Sequence, residues 1–329
     1  MLILTAEDVR KALPMNEAIE AMKDAYAALS NGTAVVPLRT RLPLPNSQSL
    51  SLFMPAYVHS TDSQALAIKV VSLFPTNPAR GLAYIQAAVL VFDPQTGQAI
   101  ALLEGSSLTA IRTGAAGGAA IDLLARKKSK VAAIFGAGAQ GRTQLEAACN
   151  ARNIETAYVF DANVEKAQAF AEELKGKSSI TQDIRVASSA REAVENADII
   201  CTATTSTLPV FDDKDLKAGT HISAVGSYTP DMQEVPAETL QRAKIFVDSR
   251  SASLEEAGDL IQPMRAGLFD ESHICGELGE VILGQIPGRQ SNDEVTYFKS
   301  VGIAVQDAMA AQVALTNALK MDIGKEVDF

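Results

Sequence analysis

The sequence VAAIFGAGAQG, residues 131–141, decides the fold of the central part of this chain. Its first five residues form an apolar run of the β-strand type, and the next six match the pattern GxGxxG. The pattern follows a strand and opens a helix, which is the context that a dinucleotide-binding turn requires. Gly136 permits the tight turn, Gly138 lets backbone amides approach a pyrophosphate, and Gly141 allows close helix–strand packing. The helix N-terminus then offers free amides to phosphate groups.

Apolar runs and helical segments alternate from residue 130 onward. Helices are expected at 140–150 and 164–175, between strands at 131–135, 157–160, 183–187, 199–203, 222–225, 245–247 and 295–298. This alternation predicts an α/β fold with a doubly wound parallel sheet of the Rossmann type. Ligands bind beyond the carboxyl ends of the strands in such a sheet, so the loops 202–205 and 226–227 are expected to face the dinucleotide.

Asp161 follows the second strand of this region, 20 residues after Gly141. A carboxylate there can accept hydrogen bonds from the adenosine ribose and would repel a 2′-phosphate. The sequence therefore predicts NAD(H) as the cofactor, with NADP(H) left open. The alternative interpretation is that Asp161 only caps the next helix.

The N-terminal part of the chain has a different character. Helical periodicity runs through residues 1–30, with Thr5 as the expected N-cap and Asn31-Gly32 as the stop. Residues 33–104 are rich in proline and contain strand-like runs at 50–54, 65–71, 85–92 and 99–103. A helix is expected over 106–125, capped by Ser106 or Ser107.

A second domain accounts for the remaining sequence. A long Ala-rich helix is expected over 302–320, and the chain length of 329 residues favours two domains. We therefore expect a substrate-binding and dimerisation α/β domain from residues 1–113 plus 303–329. The Rossmann dinucleotide-binding domain, residues 114–302, would be inserted into it.

Three cationic residues of the first domain stand in apolar or small-residue surroundings. Lys69 lies within the apolar run ALAIKVV, and Arg112 lies in a helix among small residues. Burying an ammonium group is costly unless an anion meets it, and a guanidinium can clamp a carboxylate through two hydrogen bonds. Arg41 is the third candidate. For all three, the alternative is a solvated side chain that only covers apolar surface.

The composition excludes several classes of function. The 29 basic and 39 acidic residues give a net charge of −10, which argues against binding of nucleic acid or anionic membranes. No apolar run approaches the roughly 18 residues that span a bilayer. The three cysteines are far apart in the sequence and odd in number, which argues against a disulfide framework and predicts a reducing cytoplasmic location. Three scattered histidines and the absence of a CxxC pair predict no metal site.

Several segments in the same order resemble the ornithine cyclodeaminase/mu-crystallin family over essentially the whole chain. The carrying segments are LFMPA at 52–56, IKVV at 68–71, LLEGSSLTAIRTGAAGG at 102–118, FGAGAQGRTQLE at 135–146, AVGSYTPDMQEV at 224–235 and DEVTYFKSVGIAVQD at 293–307. The resemblance implies a homodimer built on the first domain. It also implies that Arg41, Lys69 and Arg112 bind a substrate carboxylate, and that Ser300 and Val301 lie beside nicotinamide and substrate.

Departures from the family pattern favour one branch of it. Leu52 stands where ornithine cyclodeaminases carry a Glu, and Tyr228 stands where cyclodeaminases and alanine dehydrogenases carry an acid/base Asp. The Pro230-Asp231 pair resembles mu-crystallin and the ketimine reductases, and Tyr84 replaces a cofactor-contacting Thr. Deamination of an amino acid needs a base, and Tyr228, with a reference pKa of about 10, is a poor base at neutral pH.

The sequence therefore predicts an NAD(P)H-dependent reductase of a small cyclic imine 2-carboxylate, with L-proline or L-pipecolate as product. An ornithine cyclodeaminase or alanine dehydrogenase activity and a non-catalytic mu-crystallin-like binding protein are the alternatives. The expected proton donor is Lys69, Tyr228 or Asp231, and the expected substrate contacts are Arg41, Lys69, Arg112 and Val301. The expected cofactor contacts are Tyr84, Arg112, Thr113, Gly136, Gly138, Ala139, Gln140, Gly141, Asp161, Thr202, Thr204, Val225, Gly226 and Ser300.

Overall fold

The computed structural model of the chain describes residues 1–45, 47–59 and 64–328. They form two compact units, one from Met1–Arg112 with Ile303–Phe329 and one from Thr113–Gly302. The first boundary thus lies one residue before the expected position, and it falls inside a helix. In the described part of the chain, no helix is both long and apolar enough to cross a membrane.

The first unit combines one mixed sheet with helices. Its strands are β1 (Leu2–Leu4), β2 (Ala34–Val35), β3 (Thr40–Pro43), β4 (Leu50–His59), β5 (Gln64–Leu73), β6 (Ile85–Phe92), β7 (Ala99–Glu104) and β16 (Lys325–Glu326). Its helices are α1 (Ala6–Ala12), α2 (Met15–Ser30), the first part of α3 (Gly105–Leu124) and α11 (Ala304–Met321). The strand order is β16-β1-β7-β6-β5-β4-β2, with β3 also paired to β4.

Strict alternation of burial in β4 and β5 gives the sheet two different faces. Leu52, Met54 and Lys69 are buried, whereas their neighbours in sequence are partly exposed. Helix α11 packs on β4, β5 and β6, so the buried face is the one that this helix covers. Because side chains alternate between faces with a period of two, Lys69 is committed to the covered face.

The periodicity of residues 1–30 predicted helix throughout, and this prediction is wrong in part: the segment forms a strand followed by two helices. Leu2–Leu4 forms a strand that pairs in parallel with β7, and Pro14 separates α1 from α2. Proline lacks the N–H that a continuous helix would need at that point. Thr5 is the N-cap of α1 as expected, and α2 ends at Ser30 before Asn31 and Gly32, whose φ of +78° favours glycine.

The cap of α3 differs from the expected one. The amides of Ser106 and Ser107 donate to the carboxylate of Glu104 at 2.8 Å each, so Glu104 caps the helix and neither serine does. A carboxylate at this position stabilises the positive end of the helix dipole.

The second unit contains a parallel, doubly wound sheet, as predicted. Within residues 113–302, the strands are β8 (Val131–Phe135), β9 (Thr156–Phe160), β10 (Asp183–Val186), β11 (Ile199–Thr202), β12 (His221–Ala224), β13 (Lys244–Val247), β14 (Ile274–Glu277) and β15 (Thr296–Lys299). The helices are the rest of α3, α4 (Ala139–Ala151), α5 (Val164–Leu174), α6 (Ala190–Val194), α7 (Ala237–Arg242), α8 (Arg250–Glu256), α9 (Gly258–Arg265) and α10 (Leu278–Ile282).

The strand order of this sheet is β10-β9-β8-β11-β12-β15-β13-β14, with every pairing parallel. The chain therefore reverses direction across the sheet between β8 and β11, which is the point where α/β sheets bind ligands. Gly114 and Gly117 of α3 let the helices approach, because a Cβ on Gly114 would lie 2.5 Å from the carbonyl oxygen of Thr143.

Candidate functional site

A cleft of about 650 Å³ opens at the reversal point of the parallel sheet. It is lined by the last residues of β8 and β9, by the loops after β8, β9 and β11, and by the start of α5: Phe135, Gly136, Gly138, Phe160, Asp161, Ala162, Lys166, Ala203, Thr204, Thr205, Ser206, Pro209 and Val210. Four residues expected to contact the cofactor, Gly136, Gly138, Asp161 and Thr204, thus come together although they lie up to 68 positions apart in sequence.

The three glycines of the turn differ in their surroundings. Gly136 has φ +98°, and a Cβ on Gly141 would lie 2.0 Å from the carbonyl oxygen of Gly136, so both positions exclude larger residues. A Cβ on Gly138 would meet nothing within 4 Å. Gly138 is the N-cap residue of α4 and provides no side-chain cap. The turn therefore leaves room beside the free amides of a helix N-terminus, which fits a dinucleotide pyrophosphate.

Two polar residues of α4, Gln140 and Arg142, lie beside the glycine turn. The side-chain oxygen of Gln140 is buried, and no described residue donates to it. Arg142, one turn into α4, donates to the carbonyl oxygens of Ala137 and Gly138 and to Glu173 of α5. The sequence did not single out Arg142, which stabilises the turn through these hydrogen bonds.

Asp161 holds the glycine turn and the start of the next loop. Its carboxylate accepts from the backbone amides of Ala137 and Asn163, at 2.8 Å in each case. The side chain of Asn163, not that of Asp161, caps α5. The capping alternative for Asp161 is therefore wrong, and its carboxylate remains at the edge of the cleft.

A buried carboxylate that the sequence did not indicate binds two loops that are expected to face the cofactor. Glu234 accepts from the Thr202 hydroxyl at 3.0 Å and from the Thr204 amide and hydroxyl at 2.6 and 2.8 Å. It also accepts from the amides of Gly226 and Ser227 at 2.8 and 3.1 Å. Burial raises the pKa of Glu234, while Lys299 and the Thr204 donors oppose that rise. Glu234 fixes the loops after β11 and β12 relative to each other.

Asp248 has the same role at the end of β15. Its carboxylate, 1% exposed, accepts from the Ser300 hydroxyl at 2.8 Å and from the amides of Val301 and Gly302 at 3.0 and 2.9 Å. These donors belong to the segment expected beside nicotinamide and substrate. Asp248 follows β13, so only the sheet order brings it to this segment.

The first unit contains a buried cluster of charges around Lys69. The ammonium of Lys69, 2% exposed, lies 2.8 and 2.7 Å from the two carboxylate oxygens of Asp307. The Nε of Arg112, a residue 5% exposed, donates to the same carboxylate at 2.9 Å. Two of the three expected substrate-binding cations are thus brought together, on an anion in the first turn of α11.

Gln306 completes the cluster beside Asp307. Its side-chain oxygen accepts from Nη1 of Arg112 at 2.8 Å, and its side-chain nitrogen donates to the hydroxyl of Tyr26. Strand β5 and helices α2, α3 and α11 each contribute one or more members. The residues come from positions up to 281 apart, so sequence spacing could not group them.

The pKa of Lys69 lies well below the ordinary value for a lysine. Burial and the guanidinium of Arg112 lower the pKa of Lys69 to about 7, with a further contribution from Arg39, and Asp307 opposes the shift. Arg39, which the sequence did not single out, therefore acts on Lys69. Arg41 lies opposite Leu52 in the pairing of β3 with β4, and it is exposed.

The other expected site residues differ in their exposure. Tyr84 is 37% exposed and precedes β6. Tyr228 is partly buried and Asp231 is exposed, both in the loop after β12. Thr113 and Val225 are buried, and the Thr113 carbonyl accepts from the Gln144 side chain at 3.0 Å. Among the described residues, no three His, Cys, Asp or Glu side chains are grouped to hold a metal ion.

The parallel sheet, the glycine turn and the carboxylate at the end of β9 define a Rossmann-type dinucleotide-binding protein. The model of the ornithine cyclodeaminase/mu-crystallin family matches residues 1–322, and the chain belongs to that family. Among curated proteins, it is 42% identical to a Delta(1)-pyrroline-2-carboxylate reductase of Bacillus cereus over 330 residues, which covers 100% of both chains.

Two solved structures are similar over the whole length. The Delta(1)-pyrroline-2-carboxylate reductase of Thermococcus litoralis, in complex with NADH and L-proline, has a TM-score of 0.94 and 46% identity and covers 99% of this chain and 100% of its own. An archaeal alanine dehydrogenase dimer with bound NAD has a TM-score of 0.91 and 32% identity, with coverage of 100% and 99%.

Proposed function

We propose that this protein is an NAD(P)H-dependent reductase of a small cyclic imine 2-carboxylate. Its products would be L-proline from 1-pyrroline-2-carboxylate or L-pipecolate from 1-piperideine-2-carboxylate. The observation that carries the proposal is the buried cluster in which Lys69 and Arg112 share the carboxylate of Asp307. The similarity to pyrroline-2-carboxylate reductases over the full length of both chains supports the same substrate class.

The cluster suits a small carboxylate. Two buried cations with one buried anion leave an excess positive charge, and burial strengthens its attraction for an incoming anion. Arg39 adds to this charge from the segment before β3. Lys69 and Arg112 would hold the carboxylate in one orientation, which fixes the face of the imine that is presented for reduction.

Bound NADH would supply the hydride that converts the imine to the amine. Gly136, Gly138 and Gly141 would admit the pyrophosphate, and Asp161 would accept hydrogen bonds from the adenosine ribose. Glu234 and Asp248 would hold the remaining loops. Glu234 accepts from the backbone amides of Thr204 and Gly226, and Asp248 accepts from the Ser300 hydroxyl and the Val301 amide. A carboxylate at position 161 favours NADH over NADPH, and Lys166 in the same cleft keeps NADPH open.

Lys69 is the candidate proton donor best supported by its environment. A general acid works best when its pKa is near the working pH, and the pKa of Lys69 is lowered to about 7. Tyr228 and Asp231 stay as alternatives from the second unit. Leu52 is buried and apolar, and Tyr228 stands where deaminating relatives have an Asp, so deamination of an amino acid is not favoured.

The deciding experiment is an assay panel that follows NADH or NADPH oxidation by its change in absorbance. We expect turnover with five- or six-membered cyclic imine 2-carboxylates, and little with pyruvate plus ammonia. Release of ammonia from L-ornithine with NAD would establish a cyclodeaminase instead. Absence of turnover with both imines, with NADH still bound, would support the non-catalytic binding protein.

We also propose that the protein is a homodimer in the cytoplasm. The sheet face away from α11 presents partly exposed apolar side chains, among them Phe53, Tyr57, Leu66, Ile68 and Leu90. A second copy could bury this face, as in obligate dimers, and a similar alanine dehydrogenase is a dimer. Light scattering at several concentrations would test the dimer.

The proposed location rests on the cysteines. The three cysteines are unpaired, which suits a reducing compartment.

A further inference from the structure

The carboxylate of Asp307 contacts both cations of the cluster. We propose that Asp307 is a positioning residue, which holds Lys69 and Arg112 side by side and keeps Lys69 protonated so that both can bind one substrate carboxylate. This proposal rests on the proposed function for the identity of the ligand, a small ring carboxylate.

The geometry explains why the two cations need a shared anion. Lys69 projects from β5 and Arg112 from α3, and both are almost fully buried. Two buried cations that contact the same carboxylate repel each other, and a buried charge without a partner is strongly destabilising. The carboxylate of Asp307 is 2.7 Å from the Lys69 ammonium and 2.9 Å from Nε of Arg112, so it bridges them.

The same contacts orient the arginine. Nε of Arg112 is bonded to Asp307 and Nη1 to Gln306, while Nη2 donates to no described residue. The guanidinium plane is therefore fixed on one side, and Nη2 is left to receive a ligand. A preorganised guanidinium loses less conformational entropy when it binds a carboxylate.

Asp307 also controls the charge of Lys69. The charged groups that act on Lys69 are Arg112 on α3, Arg39 before β3 and Asp307 on α11, and the hydroxyl of Tyr26 on α2 reaches the cluster through Gln306. Burial and the two arginines lower the pKa of Lys69, and Asp307 raises it. Removal of the Asp307 charge would lower this pKa further, so Lys69 would be neutral at neutral pH.

The test measures carboxylate binding to the NADH-loaded protein as a function of pH. The probe is pyrrole-2-carboxylate, a planar ring carboxylate that keeps its charge between about pH 5.5 and 9. In the wild type, affinity should fall as the pH rises through about 7, the value for Lys69. In Asp307→Asn, the fall should begin at least about one pH unit lower, with binding at neutral pH weakened about tenfold or more.

Two further variants separate charge from shape. Asp307→Glu keeps the charge, and we expect it to restore the midpoint of the pH profile with partly restored affinity. Gln306→Met removes a neutral partner of Arg112, and we expect weaker binding with an unchanged midpoint. An Asp307→Asn profile that coincides with the wild type would overturn the proposal.

The outcome stays decisive if Asp307→Asn does not fold. In that case, a wild-type affinity that does not change between about pH 6 and 8 would overturn the proposal, as would wild-type affinity in Asp307→Glu. The proposed function fails separately, if the wild type binds the carboxylate with the expected pH profile but does not reduce either cyclic imine.

Discussion

The carboxylate of Asp248 accepts a hydrogen bond from the Ser300 hydroxyl at 2.8 Å, across 52 positions of sequence. The same carboxylate accepts from the next two backbone amides, Val301 and Gly302. One buried side chain thus fixes a whole segment that is expected to contact nicotinamide and substrate. The function of that segment should therefore depend on a residue outside it.

Asp248→Asn should loosen this segment. The amide group of Asn presents an NH2 toward donors that need an acceptor, which costs about 1–3 kcal/mol per unsatisfied buried group. We expect a loss of this size in the free energy of unfolding, measured with urea, and weaker NADH binding measured by fluorescence. Asp270→Asn is the control, because its carboxylate caps only an exposed turn at Ser272. Equal behaviour of the two variants would contradict the role of Asp248.

Removal of either cluster cation should impair substrate use. For Lys69→Ala and Arg112→Ala, we expect kcat/KM for the imine to fall about 30-fold or more, since truncation of a buried charged partner costs roughly 2–5 kcal/mol. The dissociation constant of NADH should change little in Lys69→Ala, because Lys69 is not among the expected cofactor contacts. Lys11→Ala, on an exposed face of α1, is the control. Near-normal turnover in both cluster variants would refute carboxylate anchoring.

Arg39 and Arg41 provide a matched pair of single-charge changes. Arg39 lowers the pKa of Lys69, so Arg39→Ala should raise that pKa and move the alkaline fall of kcat/KM to higher pH. Arg41 is exposed in β3, and Arg41→Ala should leave this midpoint in place. The sequence pointed to Arg41 as the third cation. A larger shift in Arg41→Ala than in Arg39→Ala would show that Arg41, and not Arg39, is the cation that acts on Lys69.

Asp161→Ser should change the choice of cofactor. Loss of the carboxylate removes the repulsion of a 2′-phosphate and an acceptor for the ribose, so the ratio of kcat/KM for NADPH over NADH should rise about tenfold or more. Asp183→Ser is the control, because Asp183 is on the neighbouring strand β10 and pairs with Arg185. If the ratio is the same in all three proteins, Asp161 does not contact the ribose.

Glu234→Gln should weaken both stability and NADH binding. The carboxylate serves five donors from the loops after β11 and β12, and an amide cannot accept from all of them. We expect the free energy of unfolding to fall by about 1–3 kcal/mol. Glu238→Gln in α7, an exposed position, should change neither quantity. Wild-type behaviour of Glu234→Gln would show that the loops hold their shape without this anion.

Local patterns were sufficient to predict the parallel sheet and the glycine turn. Strands such as β8 and β11 are apolar runs, although β10 carries Asp183 and Arg185 and the strand β14 was not predicted. The positive φ of Gly136 and the close approach of Gly141 to it arise within six residues of sequence. The apolar run ALAIKVV also pointed to Lys69 as a candidate buried cation, and the structure places it on the covered face of β5. Local patterns failed at the N-terminus, where the three residues of β1 have too little periodicity to distinguish strand from helix.

The sequence by itself determined the fold class and the dinucleotide turn, and it pointed to three cations, of which Lys69 and Arg112 share one carboxylate in the structure. Only the tertiary structure decided which anion meets them, because Asp307 is 238 positions from Lys69 and 195 from Arg112. Asp248, Glu234 and Arg39 were missed for the same reason. Periodicity reports which face of an element is buried, whereas the partner of a buried charge depends on strand order and helix packing, which bring distant segments together.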